Sequence, residues 1–206
     1  MYALLKGAPR ALFLLLALTL LAACASRPPE PVAAPEELFQ DRLDALAGLS
    51  GWSASGRAGI SAGTDAATMS MDWTQRAGDW QLDLRGPLAS GAVRLQRTAD
   101  GVSLRTSDGR QDQAQDAQAL LYRYTGFDLP VEVLLDWLIG IPAPEYDANL
   151  DLDDDGLPVR VEQLGWTIQY TAYDRVNGVQ MPIRMFMDGP GVAVRVAVSR
   201  WELERD

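Results

Sequence analysis

Met69-Ser70-Met71-Asp72-Trp73-Thr74, then Ala77-Gly78, then Trp80-Gln81-Leu82-Asp83-Leu84-Arg85 is the stretch whose period decides the fold. Apolar side chains fall at every second position on both sides of a two-residue break. A period of two sends alternate residues to opposite faces of a strand, one apolar and one wet. A small residue followed by glycine between two such runs is hairpin chemistry. The pattern continues through Val93 and Leu95, then Val102 and Leu104, with Ala99-Asp100-Gly101 and Ser107-Asp108-Gly109 as turns. Residues 157–164, 166–173, 183–187 and 192–201 read as further strands, and Asn177-Gly178 as another turn. The run Asp153-Asp154-Asp155-Gly156 reads as a solvated hairpin tip, since the spacing and distal Glu of a Ca²⁺ loop are missing.

Three segments change to a helical period. Phe39, Leu43 and Leu46 place a helix over 36–47, with Gly48 expected as a left-handed terminator. Asp116 is a natural N-cap for a helix whose stripe is Ala117, Leu120, Leu121 and Tyr124 and whose end is Gly126. A second helix restarts at Asp128-Leu129-Pro130, with proline acceptable in the first turn. It runs through Leu134, Trp137 and Leu138 to Gly140, where Ile141-Pro142 stops it. Many strands and few helices predict a mainly β, α+β chain: an incomplete antiparallel β-barrel with the inserted helices as a lid.

The N-terminus carries a different message. Lys6 and Arg10 precede an apolar run from Ala11 to Ala23, followed by Cys24. A charged start, a short apolar segment and small residues before a cleavage point make a secretory signal peptide, here over 1–23. The run is short of the ~20 residues a spanning helix needs. Leu21-Ala22-Ala23-Cys24 resembles a bacterial lipobox, which implies cleavage before Cys24, a diacylglycerol on its sulfur and an acylated new N-terminus. Two or more acyl chains hold a protein stably on a bilayer. Residues 24–35, with Pro28, Pro29, Pro31 and Pro35, read as a semi-rigid tether, and 36–206 as one domain.

Composition removes several chemistries. The chain has no histidine and one cysteine. A Ser-His-Asp triad, a Cys-His pair and a His-ligated metal are therefore impossible, as is an internal disulfide. An enzyme would have to rely on carboxylates such as Asp83, Asp136 or Glu162, and no acid pair is recognisable, so a non-enzyme without cofactor or metal is expected. With 28 acidic residues against 18 basic and a net charge of −10, the chain repels phosphate backbones, which argues against nucleic acid. Any grip on membrane must then come from acyl chains and apolar contact.

A packed barrel interior normally takes Val, Ile and Leu. The inward candidates here are Met69, Met71, Trp73, Trp80, Leu82, Leu84, Met185 and Met187, with Trp137 and Trp166 as lid or cavity residues. Methionine is flexible and polarisable, and suits surfaces that receive varied apolar ligands. An ordinary filled core satisfies the same alternation. The turn Gly86-Pro87-Leu88-Ala89-Ser90-Gly91 has one large side chain, Leu88, either tucked onto the core or offered outward to a membrane or a groove.

Together these residues resemble the LolB family of outer-membrane lipoproteins. The resemblance rests on the lipobox at Cys24, Trp52 to Gly59, Trp73-Thr74-Gln75, Gly86-Pro87-Leu88, Leu129-Pro130 and the segment Trp137-Leu138-Ile139-Gly140-Ile141-Pro142. Gly165-Trp166 with Tyr170 and Tyr173, then Met181-Pro182 and Trp201, complete it. It implies a monomer on the periplasmic face of the outer membrane that accepts lipoproteins from a LolA-like carrier. Acyl chains would bind in a hydrophobic cavity and pass into outer-membrane lipid without energy input. It also implies that Leu88 is the membrane-insertion residue and that Ala25, in place of Asp after the cysteine, fits an outer-membrane address. Ala89 departs from the glycine frequent at that place in the family, and alanine resists positive φ. Arg57, Arg94 and Arg195 are either solvated strand residues or a surface that orients the carrier. The competing reading is a lipocalin-like lipoprotein holding a small hydrophobic molecule.

Overall fold

The computed structural model describes residues 33–86 and 91–205. The signal peptide, Cys24, most of the tether and Leu88 lie outside the described residues. One antiparallel sheet of eleven strands makes up the domain: β1 (Gly51–Ala62), β2 (Asp65–Arg76), β3 (Asp79–Arg85), β4 (Ala92–Thr98), β5 (Gly101–Thr106), β6 (Gln111–Ala114), β7 (Ala148–Leu152), β8 (Pro158–Gln163), β9 (Trp166–Val176), β10 (Val179–Gly189) and β11 (Val192–Glu204). Their order is β6-β5-β4-β3-β2-β1-β11-β10-β9-β8-β7. β1 therefore sits mid-sheet, paired with the last strand, and β6 and β7 are left as edges. The sheet is an open barrel, as expected.

Among the described residues three helices accompany it: α1 (Pro35–Ala47), α2 (Ala117–Thr125) and α3 (Val131–Leu138). α2 and α3 follow β6 and precede β7 in the chain, so they close the gap between the two edges and cover the concave face. Asp116 caps α2 as expected, its carboxylate accepting from the N–H groups of Gln118 and Ala119, and Gly126 ends the helix at φ 75°. The residue before a proline resists the helical region, so α3 begins only at Val131, after Leu129-Pro130.

The structure corrects several boundaries. α1 starts one residue early, at Pro35, because proline fits the first turn; Glu36 and Glu37 then complement the helix dipole. Gly48 ends α1 at φ −79°, not left-handed; its N–H reaches Asp44 O while Leu49 N–H bonds Leu46 O. Leu164 is not in a strand but in a turn, at φ 53°. β6 and β7 carry too little apolar alternation to be read as strands. The acidic run is a hairpin tip, but only Asp154 and Asp155 are fully exposed. A Cβ on Gly156 would lie 2.5 Å from Leu38 Cβ, so α1 packs directly on that turn.

The concave face is one continuous apolar cluster. Ala54, Ala58 and Ile60 of β1, Met71 and Trp73 of β2, Leu82 and Leu84 of β3, and Val194 and Val196 of β11 face Leu121 of α2 and Val131, Leu134 and Leu138 of α3.

Candidate functional site

β1 ends and β2 begins at the same end of the sheet where β3 gives way to β4 and β10 to β11. This rim is the mouth; the opposite end is the floor. At the mouth, a groove of about 840 Å³ is lined by Ile60, Met69, Leu84, Gly86, Gly91, Leu121, Tyr124, Phe127 and Leu129, among others. Beneath it, the space between sheet and lid shrinks to a void of about 40 Å³. That is room for about one water molecule. Ile60, Leu84, Leu121 and Leu129 border both spaces, so the void leads into the apolar side of the groove, whose outer wall is polar with Thr106, Ser107, Asp108, Arg110 and Thr125.

Six of the ten candidate residues lie along that path. Met71, Trp73, Leu82, Leu84 and Met187 line the inner void, and Met69, half-buried, lines the groove. The other four are buried but border neither space. Trp80 belongs to a chain of indoles at the floor: Trp80–Trp73 and Trp73–Trp52 at 6.4 Å, Trp52–Trp201 at 5.6 Å between ring centroids. Such tilted contacts add ~1 kcal/mol each to area burial. Met185 is 1 % exposed within β10. Trp137 packs on Trp166 at 5.8 Å and ties α3 to β8 and β9 rather than lining a cavity.

Three polar side chains that sequence periodicity does not flag hold the C-terminal end of α3. Gln163, 3 % exposed, accepts from Trp137 Nε1 at 2.8 Å and from Ala143 N–H at 2.9 Å, while its Nε2 donates to Ala143 O and Tyr146 O, each at 2.8 Å. Tyr170 Oη donates to Trp137 O at 2.7 Å, and burial pushes its pKa well up. Arg42 of α1 donates from Nη2 to Ile139 O at 2.7 Å and lies 5.9 Å from the Tyr173 ring centroid. Burial lowers its pKa, and its Nε and Nη1 have no partner among the described residues.

Elsewhere the lid's polar ties lie near its surface, while Ala117, Leu120, Leu121 and Leu129 hold it through buried apolar contact. Arg97 pairs with Glu132, Arg123 with Asp112, and Gln118 donates to Asp128 at 2.7 Å. Such exposed pairs contribute ~0–1 kcal/mol each. The polar ties of the lid are therefore asymmetric: buried at the end of α3, near the surface along α2 and the 126–130 connection at the mouth.

The carboxylates weighed for catalysis do not converge. Asp83 is bound by Arg94 on the outer face of β3, with Arg94 Nε at 2.8 Å. Glu162 is held by Arg160 and Asn149 on β8. Asp136 stands on α3, its pKa raised to about 6 by burial and by Glu145. Of the three arginines singled out, Arg94 is thus occupied; Arg57 and Arg195 remain on the outer face of β1 and β11 without an ion pair among the described residues.

Comparison with known proteins agrees with this architecture. Residues 50–201 match the family described as "Outer membrane lipoprotein LolB". The chain is 39 % identical over 189 residues to the outer-membrane lipoprotein LolB of Alkalilimnicola ehrlichii, covering 91 % of this chain and 94 % of that one. It is 36 % identical over 202 residues to that of Halorhodospira halophila, covering 98 % of each. Among solved structures, a LolA superfamily protein from Nitrosomonas europaea superposes with a TM-score of 0.56 at 10 % identity, over 84 % of this chain and 94 % of that one. A DUF1329 family protein from Desulfovibrio piger gives 0.51 at 12 %, over 85 % and 93 %. At these identities the two structures speak for the fold alone. The chain belongs to the LolB family of outer-membrane lipoproteins, whose role is lipoprotein localisation.

Proposed function

We propose that the path from mouth groove to inner void is an acyl-chain cavity in its collapsed state, and that the protein uses it to accept lipoproteins from a LolA-like carrier. One observation carries this reading. An apolar interface separates the lid from the concave sheet, and among the described residues it leads into a groove of about 840 Å³ at the mouth.

Each methylene exposed to water costs ~0.8 kcal/mol, so acyl chains must pass from one apolar cavity to the next without exposure. Contact between the carrier's opening and this mouth meets that need. α2 and the 126–130 connection swing outward, with Gly126 at positive φ as the joint between them, and α3 stays anchored through Trp137, Tyr170, Gln163 and Arg42. Met69, Met71 and Met187 adapt to chains of different shape. Transfer is downhill because more apolar area is buried here than in the donor, so no nucleotide is needed. Cys24 carries the lipid that keeps the protein at the outer membrane, and Leu88 assists release into the bilayer.

The test is incubation of the full-length lipoprotein in vesicles with a carrier loaded with labelled lipoprotein. Energy-free migration of the label supports the reading. Retention on the carrier, with a small hydrophobic molecule found in the protein by native mass spectrometry, favours the lipocalin-like alternative.

A further inference from the structure

The outer face of the sheet carries a second site that lipoprotein handover does not use. Arg57 of β1 and Arg184 of β10 lie in one cross-strand row on either side of Ala197 of β11. Arg195, two residues along β11, stands in the next outward-facing row between Gly59 and Phe186. With strands ~4.8 Å apart and a rise of ~3.4 Å per residue, the three Cα atoms form a triangle of about 8–10 Å. All three side chains are exposed, and none has a carboxylate within ion-pair distance among the described residues. On the same face Arg85 pairs with Asp72, Arg94 with Asp83 and Arg76 with Glu204, while Arg105 stands alone without a second unpaired arginine beside it. Three unmatched cations on adjacent strands are unexpected on a chain of net charge −10, because nearby like charges repel and a carboxylate would relieve them.

The space between them is shaped. A shallow trough of about 380 Å³ runs between the arginines, floored by Gly59 and Ala197 and walled by Phe186. A Cβ on Gly59 would meet nothing nearer than 3.8 Å, so crowding does not call for glycine there; the bare position leaves the trough open. Arg195 lies 5.9 Å from the Phe186 ring centroid, which limits the freedom of its guanidinium.

We propose that Arg57, Arg184 and Arg195 form a docking site for a protein segment bearing closely spaced carboxylates. Guanidinium forks match carboxylates two bonds at a time. An anionic bilayer is the less favourable occupant, since an extended surface also meets Asp72, Asp83, Asp188 and Glu202 on the same face. A short acidic segment touches the trough alone. The trough adjoins the mouth groove at Ile60, Ala66, Ala67 and Thr68, but none of the three arginines lines that groove, so failure of the docking site leaves the cavity reading intact.

The experiment measures binding of a fluorescent hexaglutamate peptide to the full-length acylated protein in neutral detergent, by anisotropy at low salt. R57Q/R184Q/R195Q is compared with R105Q/R160Q/R175Q, which removes the same charge elsewhere. The expected result is binding by the unsubstituted and control proteins and a loss of at least about tenfold in the trough variant. Equal loss in both variants, or no binding by the unsubstituted protein, overturns the proposal. So does a trough-dependent affinity for phosphatidylglycerol vesicles without one for the peptide, or a trough-dependent dimer in sedimentation.

Discussion

Trp137 Nε1 donates to Gln163 Oε1 at 2.8 Å across the seam between α3 and β8. The same amide binds Ala143 at both its N–H and its carbonyl, and Tyr146 at its carbonyl. One side chain thus satisfies an indole and three backbone groups that have no water to turn to. Gln163→Leu keeps the volume and strands the indole N–H, the Ala143 N–H and the Tyr146 carbonyl, while Ala143 O keeps the Tyr146 N–H. A loss of about 3–4 kcal/mol in unfolding free energy is expected, with red-shifted tryptophan emission as Trp137 loosens. A loss below about 1 kcal/mol in chemical denaturation would show that the seam does not anchor the lid.

Asp136 gives the lid a pH dependence. Its pKa of about 6 exceeds the ordinary carboxylate value because burial, then Glu145, disfavours the charge. A raised carboxyl pKa means that the folded state holds its proton longer than the unfolded chain does. Stability therefore falls as pH rises from about 4 to about 6 and stays lower above. Asp136→Asn is expected to gain about 1–2 kcal/mol at pH 7.5, discounted for the group's partial exposure, and nothing at pH 3.5. Melting curves at the two pH values check it; an equal change at both contradicts the assignment.

Three two-residue hairpins close on the same backbone. Ala77-Gly78, Leu164-Gly165 and Asn177-Gly178 all hold positive φ at both residues, as a type I′ turn requires. Asparagine suits the first position; alanine and an exposed leucine do not. Leu164→Asn is expected to raise unfolding free energy by about 0.5–1 kcal/mol. An unchanged or lower midpoint in urea would argue that Leu164 is held by something other than the turn.

Much of the sheet was legible because wet and apolar faces alternate in β2, β3 and most of β11, which breaks step only at Ser199-Arg200. Asp116 and Gly126 announced α2 through cap chemistry alone. The mouth was half legible: Met69, Met71, Trp73, Leu82, Leu84 and Met187 fell on it because strand parity carries them inward. Trp80, Trp166 and Met185 share that apolar character, yet cross-strand register, which parity does not fix, sends them to the floor, the lid seam and the packed core, and helix packing sends Trp137 to the same seam. Gln163 and Arg42 were invisible for another reason. Each is a polar residue whose role depends on a partner far along the chain, Trp137 for one and Ile139 for the other. The pairing of Arg57 with Arg184 is equally non-local, since it exists only through β11 between them.

Leu88, outside the described residues, is expected to act late in the proposed handover. Leu88→Glu should leave uptake from the carrier within about twofold and slow insertion into vesicles by at least about tenfold, the signature of a raised barrier to one step. Uptake and insertion are assayed separately with labelled lipoprotein. Normal insertion after normal uptake removes Leu88 from the mechanism.

The most direct test asks whether acyl chains enter beneath the lid. Benzoylphenylalanine is placed at Met71 or Met187, which line the inner void, and at Ser70, exposed on the opposite face of β2. Each variant receives a triacylated lipoprotein with a tritiated acyl chain and is then irradiated. The label is expected to attach to the protein from positions 71 and 187 and not from 70. Attachment from 70 alone, or from none of the three while transfer proceeds, would contradict an acyl-chain cavity between the sheet and α2–α3.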